Sequence, residues 1–60
     1  MCELSVYMKG EKECLMEGVV VLATKGDKVQ MEDILGRTKE ATGRIVEVNI
    51  TNQKAFLEPV

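Results

Sequence analysis

The chain has 60 residues, 45% of them hydrophobic and 30% charged, with a net charge of −2 and no histidine. At this length one domain is expected, burying only about 60% of the surface its unfolded chain exposes. The missing histidines exclude Ser-His and Cys-His nucleophile pairs and most zinc-enzyme ligand sets, and the acidic balance weighs against a basic nucleic-acid footprint or a cationic membrane-surface helix.

Tyr7 and Phe56 are the only aromatics, so the core must be built from Val, Leu, Ile and Met. So thin a core predicts association into a dimer. The longest apolar run, Val19 to Ala23, is far short of the roughly 20 residues that span a bilayer. No charged-then-apolar signal opens the chain. The expected compartment is the cytoplasm, where Cys2 and Cys14 stay reduced.

The first strand is expected over Glu3 to Met8, where Leu4, Val6 and Met8 alternate with Glu3, Ser5 and Tyr7. Lys9 to Lys12 reads as a Gly-containing turn. A long second strand follows from Glu13 to Thr24, and Gly18 inside it marks a bulge or bend. Gly26-Asp27 suits a tight hairpin loop, since both residues tolerate positive φ. The third strand, Lys28 to Ile34, alternates Val29 and Met31. Gly36 then turns the chain into Arg37 to Thr42, whose polarity suits an edge strand or a solvated loop. A helix across Met31 to Ala41 is the rival reading. Gly36 at its middle and the lack of an i, i+3, i+4 apolar stripe weigh against it. Gly43 precedes the fifth strand, Arg44 to Ile50, with Val46, Val48 and Ile50 expected on one face. After an Asn52-Gln53 turn, Lys54 to Glu58 returns with Ala55 and Leu57, and Pro59 limits further pairing. Short strands at about ten-residue spacing predict one all-β domain over residues 1–60, a small barrel-like or sandwich-like antiparallel sheet of five to six strands.

Two cysteines raise the question of a disulfide. If the first turn centres on Gly10-Glu11, Cys14 lies opposite Tyr7 and Cys2 opposite Val19. The thiols are then about five positions apart along the ladder, roughly 16 Å at ~3.3 Å per residue. A disulfide needs Cα atoms within about 7 Å, so no intrachain bridge is expected. Cys14 reads as a small, buried or half-buried apolar residue.

Cys2 has two readings. One is a small residue opening an edge strand. The other is a metal ligand. A cysteine this close to a free N-terminus offers its thiolate and a nearby main-chain nitrogen, closing a five-membered chelate ring. Two such pairs make S2N2, and a flat four-coordinate set of that kind suits Ni(II) or Cu(II). One chain supplies half of it, and a two-fold dimer completes it by pairing the residue with its own copy.

Several segments share one further property. They are MCE at the start with Val6 and Tyr7 in the strand after it, LMEGVV at Leu15 to Val20, GDKV at Gly26 to Val29, DILG at Asp33 to Gly36, and GRIVEVN at Gly43 to Asn49. In this order and spacing the chain resembles the CooT family of small nickel-binding proteins. That family is associated with maturation of nickel carbon monoxide dehydrogenase and is also labelled as predicted RNA-binding. The resemblance implies an all-β homodimer that holds Ni(II) at its interface through Cys2 of both chains. It implies nickel delivery or storage, with a nickel enzyme or its maturation factors as partners. Only Cys2 carries over as a ligand.

Three other functions compete. A small Sm-like RNA-binding module would use Lys25, Lys28, Arg37, Lys39 and Arg44, although single-stranded RNA usually asks for aromatic platforms and a basic groove. An enzyme would have to use Glu17, Glu32, Asp33 or Glu47, which lack a recognisable partner set, and no phosphate-cradling loop is present. No catalytic residue is therefore expected. A redox sensor would oxidise two Cys2 thiols at a dimer axis to an intermolecular disulfide.

Overall fold

The computed structural model describes residues 3–60. These form six strands and no helix: β1 (Leu4–Met8), β2 (Cys14–Lys25), β3 (Lys28–Asp33), β4 (Thr38–Thr42), β5 (Arg44–Asn49) and β6 (Lys54–Glu58). The all-β expectation holds, and the helix considered across Met31 to Ala41 is replaced by the β3–β4 hairpin.

All six strands belong to one sheet in the order β4-β3-β2-β1-β6-β5. Four of the five pairings are antiparallel. The exception is β1 with β6, which run parallel, Val6 beside Ala55 and Tyr7 beside Phe56. That pair joins the first strand to the last and puts β1 near the middle of the sheet. The polar β4 is an edge, as its sequence suggests. The other edge is β5, and the sheet curls enough that β5 approaches β3.

The concave face carries the core. Val6, Val19, Val29, Met31, Ala55 and Leu57 are fully buried. Leu4, Met8, Leu15, Met16, Leu22, Ala41 and Ile45 pack around them. The period of two places these side chains inward on β1, β3 and β6. On the opposite face, Tyr7 and Phe56 stack with ring centroids 5.8 Å apart, and the Lys54 ammonium lies 5.6 Å from the Tyr7 ring centre.

β2 bends as Gly18 predicts. Gly18 has φ +66°, and the β1–β2 ladder slips twice, pairing Tyr7 with Cys14, Val6 with Met16 and Leu4 with Val19. The simple hairpin count therefore holds at Tyr7–Cys14 and fails beyond it. Val19 faces Leu4 and not Cys2, because bulges insert extra β2 residues between the two ends. Past the bend β2 leaves β1 and pairs with β3 from Val19 to Lys25.

A second bulge changes β5. The ladder to β6 shifts between Ile45 and Glu47, so Ile45 packs on the core. Val46, Val48 and Ile50, expected on one face, are all exposed. Val48 stands opposite buried Ala55, while Val46 borders a shallow pocket with Lys9, Gly10, Glu47 and Phe56. An extra residue reverses the alternation that a strict period of two would impose.

Candidate functional site

Cys2 lies outside the described residues. The strand that follows it is well defined. β1 is paired on both flanks, by β2 and by β6, and its Val6 is fully buried. Ser5 also donates its N–H to the Gln53 carbonyl at 3.0 Å.

Register shows what else gathers where β1 starts. Leu4 faces Val19, and Val19 faces Asp33. On the other flank Ser5 lies beside Lys54, which faces Asn49. The bend of β2, the β3–β4 turn and the β5–β6 turn thus converge at one end of the sheet.

The β3–β4 turn is pinned by Asp33, which is only 3% exposed. Its Oδ1 accepts hydrogen bonds from the Leu35 N–H at 3.0 Å and the Arg37 N–H at 2.9 Å, and its Oδ2 accepts one from Arg37 Nε at 2.7 Å. The Asp33 carbonyl accepts the Gly36 N–H at 2.9 Å, and Gly36 has φ +82°. Ile34 donates to the Gly18 carbonyl at 3.1 Å, tying the turn to the bend of β2. Burial pushes the Asp33 carboxyl up. The Arg37 side chain and the N–H groups of Arg37 and Leu35 outweigh that and hold it below its ordinary value. In the sequence Asp33 stands among the carboxylates that lack a recognisable partner set. An Asp followed three residues later by Gly is a turn signal with a mechanism, and it identifies this pin.

The pinned turn presents Ile34 51% exposed and Leu35 72% exposed. Beside it a depression of about 490 Å³ is lined by Cys14 to Glu17 on one wall and by Asp33 and Arg37 to Lys39 on the other. Cys14 is half-buried, as expected, and its Sγ donates to the Met16 carbonyl at 3.2 Å. Lys39 Nζ donates to the Leu15 carbonyl at 3.0 Å.

The five cations considered for RNA are distributed as follows. Lys25 and Lys28 face each other across the β2–β3 hairpin. Lys28 Nζ lies 3.7 Å from Glu40 Oε1. Arg37 is paired with Asp33, and Lys39 caps a main-chain carbonyl. Arg44 donates from two nitrogens to Glu58 Oε1, at 3.0 and 2.7 Å, and this holds the Glu58 carboxyl below its ordinary value. Three of the five thus have a carboxylate partner. Of the four carboxylates considered for catalysis, Glu17 and Asp33 line the same depression and Glu47 borders the pocket beside Phe56. Glu32 faces Val21 and Thr38 across the sheet. Among the described residues no three His, Cys, Asp or Glu side chains gather into a metal site, and no helix is long and apolar enough to cross a membrane.

The fold and its pinned turn define a small all-β domain of one curled six-stranded sheet, built around a central N-terminal strand. Residues 1–58 match the family described as the CO dehydrogenase accessory protein CooT. The chain belongs to the CooT family. It is 38% identical over 58 residues to an uncharacterized protein of Methanocaldococcus jannaschii, covering 97% of this chain and 98% of that one. It is 46% identical over 43 residues to an uncharacterized protein of Archaeoglobus fulgidus, covering 72% of this chain and 96% of the relative. A crystal structure described as "putative CooT" from Carboxydothermus hydrogenoformans superposes with a TM-score of 0.87 at 23% identity, over 98% of both chains. The two share the fold.

Proposed function

We propose that the protein is a nickel-binding accessory factor that carries one Ni(II) per homodimer. Each chain supplies the Cys2 thiolate and an adjacent main-chain nitrogen. The ion is cargo, held for delivery to a nickel enzyme such as carbon monoxide dehydrogenase or stored until needed, and the protein acts as carrier and not as catalyst, in the cytoplasm. The observation that carries this reading is the Met-Cys start of a chain whose residues 1–58 match a family of CO dehydrogenase accessory proteins.

The chemistry supports it. Thiolate and main-chain nitrogen form the strong-field, flat donor set that Ni(II) prefers. Two doubly paired β1 strands give the two half-sites firm bases. The RNA-binding alternative fits less well, because Lys28, Arg37 and Arg44 each lie beside a carboxylate partner.

Titrating the intact protein with nickel should produce thiolate-to-metal charge-transfer absorption that saturates at half an equivalent per chain. Cys2→Ser should abolish it. Equal nickel affinity in Cys2→Ser and the parent would refute the assignment.

A further inference from the structure

We propose that the open flank of β2 from Cys14 to Glu17 is a docking edge, which takes up an extended, acid-bearing segment of a partner protein as an added strand. The proposal goes beyond the carrier reading, and the edge it names needs no metal.

The observation that carries it is how β2 divides its pairing. β1 lies on one flank along Cys14 to Val19, and β3 lies on the other along Val19 to Lys25. Gly18 is where the strand passes from one partner to the other. On the β3 side, the first half of β2 therefore has no strand beside it among the described residues. A main chain without its ladder must satisfy its polar groups in another way. Here a side chain stands in. Lys39 Nζ reaches from β4 to the Leu15 carbonyl at 3.0 Å, in an exposed contact. Holding a long lysine side chain in one geometry costs ordering entropy, so this cap is easily given up. An incoming main-chain N–H can take over the same carbonyl.

There is room for it. The flank forms one wall of the depression of about 490 Å³, and Asp33 with Arg37 to Lys39 forms the other. The floor is steady, because Leu15 and Met16 pack on the core, and the facing turn is tied to Asp33 by three hydrogen bonds and to the Gly18 carbonyl by a fourth.

Charge on the facing wall selects the occupant. Arg37 spends its Nε on Asp33 Oδ2, and its largely exposed guanidinium keeps its terminal nitrogens to donate. Displacing Lys39 from Leu15 frees an ammonium on the same wall. A carboxylate on the added strand meets both cations. Asp33 opposes it little, since its two oxygens already accept three hydrogen bonds. Glu17, the other acid of the depression, favours a cation or a main-chain N–H at its own end of the segment. Main-chain hydrogen bonds then supply the affinity and the carboxylate supplies the selectivity, as in other cases of strand addition.

The experiment uses the intact protein without added metal and three short capped peptides of β-branched residues. One has a central aspartate, one has asparagine in its place, and one keeps the aspartate but is N-methylated at alternate residues. Amide NMR locates the contact and gives the affinity. The aspartate peptide should perturb the signals of Cys14 to Glu17. The asparagine peptide should bind about fivefold more weakly, as for loss of an exposed ion pair. N-methylation should abolish binding, because it removes the main-chain donors. Lys39→Met, checked for folding by circular dichroism, removes both cap and cation. It should bind the asparagine peptide more tightly than the parent does and should lose much of the preference for aspartate. No response at Cys14 to Glu17, equal binding of the N-methylated peptide, no preference for aspartate at low salt, or a Lys39→Met variant that behaves as the parent would each overturn the proposal. The same amide changes on concentrating the protein alone would assign the flank to a second copy and overturn it too.

Discussion

Gly43, between β4 and β5, offers a sharp test of how the sheet closes. Its φ is +153°, and a Cβ there would sit 2.7 Å from the Glu58 carbonyl oxygen and 3.9 Å from Met8 Cε. The obstacle is backbone, held in place because Glu58 pairs with Arg44 in the β5–β6 ladder. Gly43→Ala must therefore push β6 away by about half an ångström, or bend the chain where Gly43 donates to the Asp27 carbonyl at 2.7 Å. Overpacking of this kind costs about 1–3 kcal/mol, and the unfavourable backbone region costs about 1–3 kcal/mol more. We expect a loss of about 3–4 kcal/mol in total. A domain of this size is worth roughly 3–9 kcal/mol in all, so about a third or more of its stability should go. Gly26 supplies the control. It also has positive φ, +61°, but nothing lies within 4 Å of its added Cβ. Gly26→Ala should cost about 1–2 kcal/mol. Thermal unfolding followed by circular dichroism, at one protein concentration, should show Gly43→Ala melting roughly 8–16 °C below Gly26→Ala. Equal melting temperatures would mean that the close approach of Gly43 to β6 is not what holds this junction, and the reasoning would fail.

Other consequences are as direct. Leu57 is fully buried, so Leu57→Ala should lose about 2–5 kcal/mol, whereas Leu57→Met should lose less than about 1.5 kcal/mol. Urea unfolding measures both. Asp33 and Glu58 are held below their ordinary values of 3.8 and 4.5. A depressed folded pKa adds stability that is present above the unfolded value and is lost as pH falls through the folded one. Stability should therefore fall as pH drops below about 4.5, the unfolded Glu58 value. Asp33→Asn should flatten that acid limb. Arg44→Gln should let the Glu58 carboxyl rise toward its ordinary value, readable by NMR titration.

Much of this molecule was legible before any fold was known. The alternation of Leu4, Val6 and Met8, of Val29 and Met31, and of Ala55 and Leu57 marks inward faces, because a pleated strand sends successive side chains to opposite sides. Glycines at 10, 18, 26, 36 and 43 mark where the backbone turns or bends, and all five have positive φ. The polarity of Thr38 to Thr42 marks an edge. Within the candidate site, the Met-Cys start and the Asp33-to-Gly36 spacing were both visible as sequence features.

Only the tertiary structure decided the rest. Sequence carries no record of which distant strands pair, so the parallel contact of β1 with β6 and the central place of β1 emerge only from the assembled sheet. Bulges cannot be counted in advance, since one extra residue reverses every side chain beyond it. That is why Leu4 and not Cys2 faces Val19, and why Ile45 is inside while Val46, Val48 and Ile50 are exposed. The carboxylate of Asp33 acquires its role from burial beside Arg37, and the β3–β4 turn is tied to the bend of β2 because segments far apart in the chain are brought side by side. Local periodicity determined which residues face inward, and long-range pairing determined what stands beside the strand that carries the N-terminus.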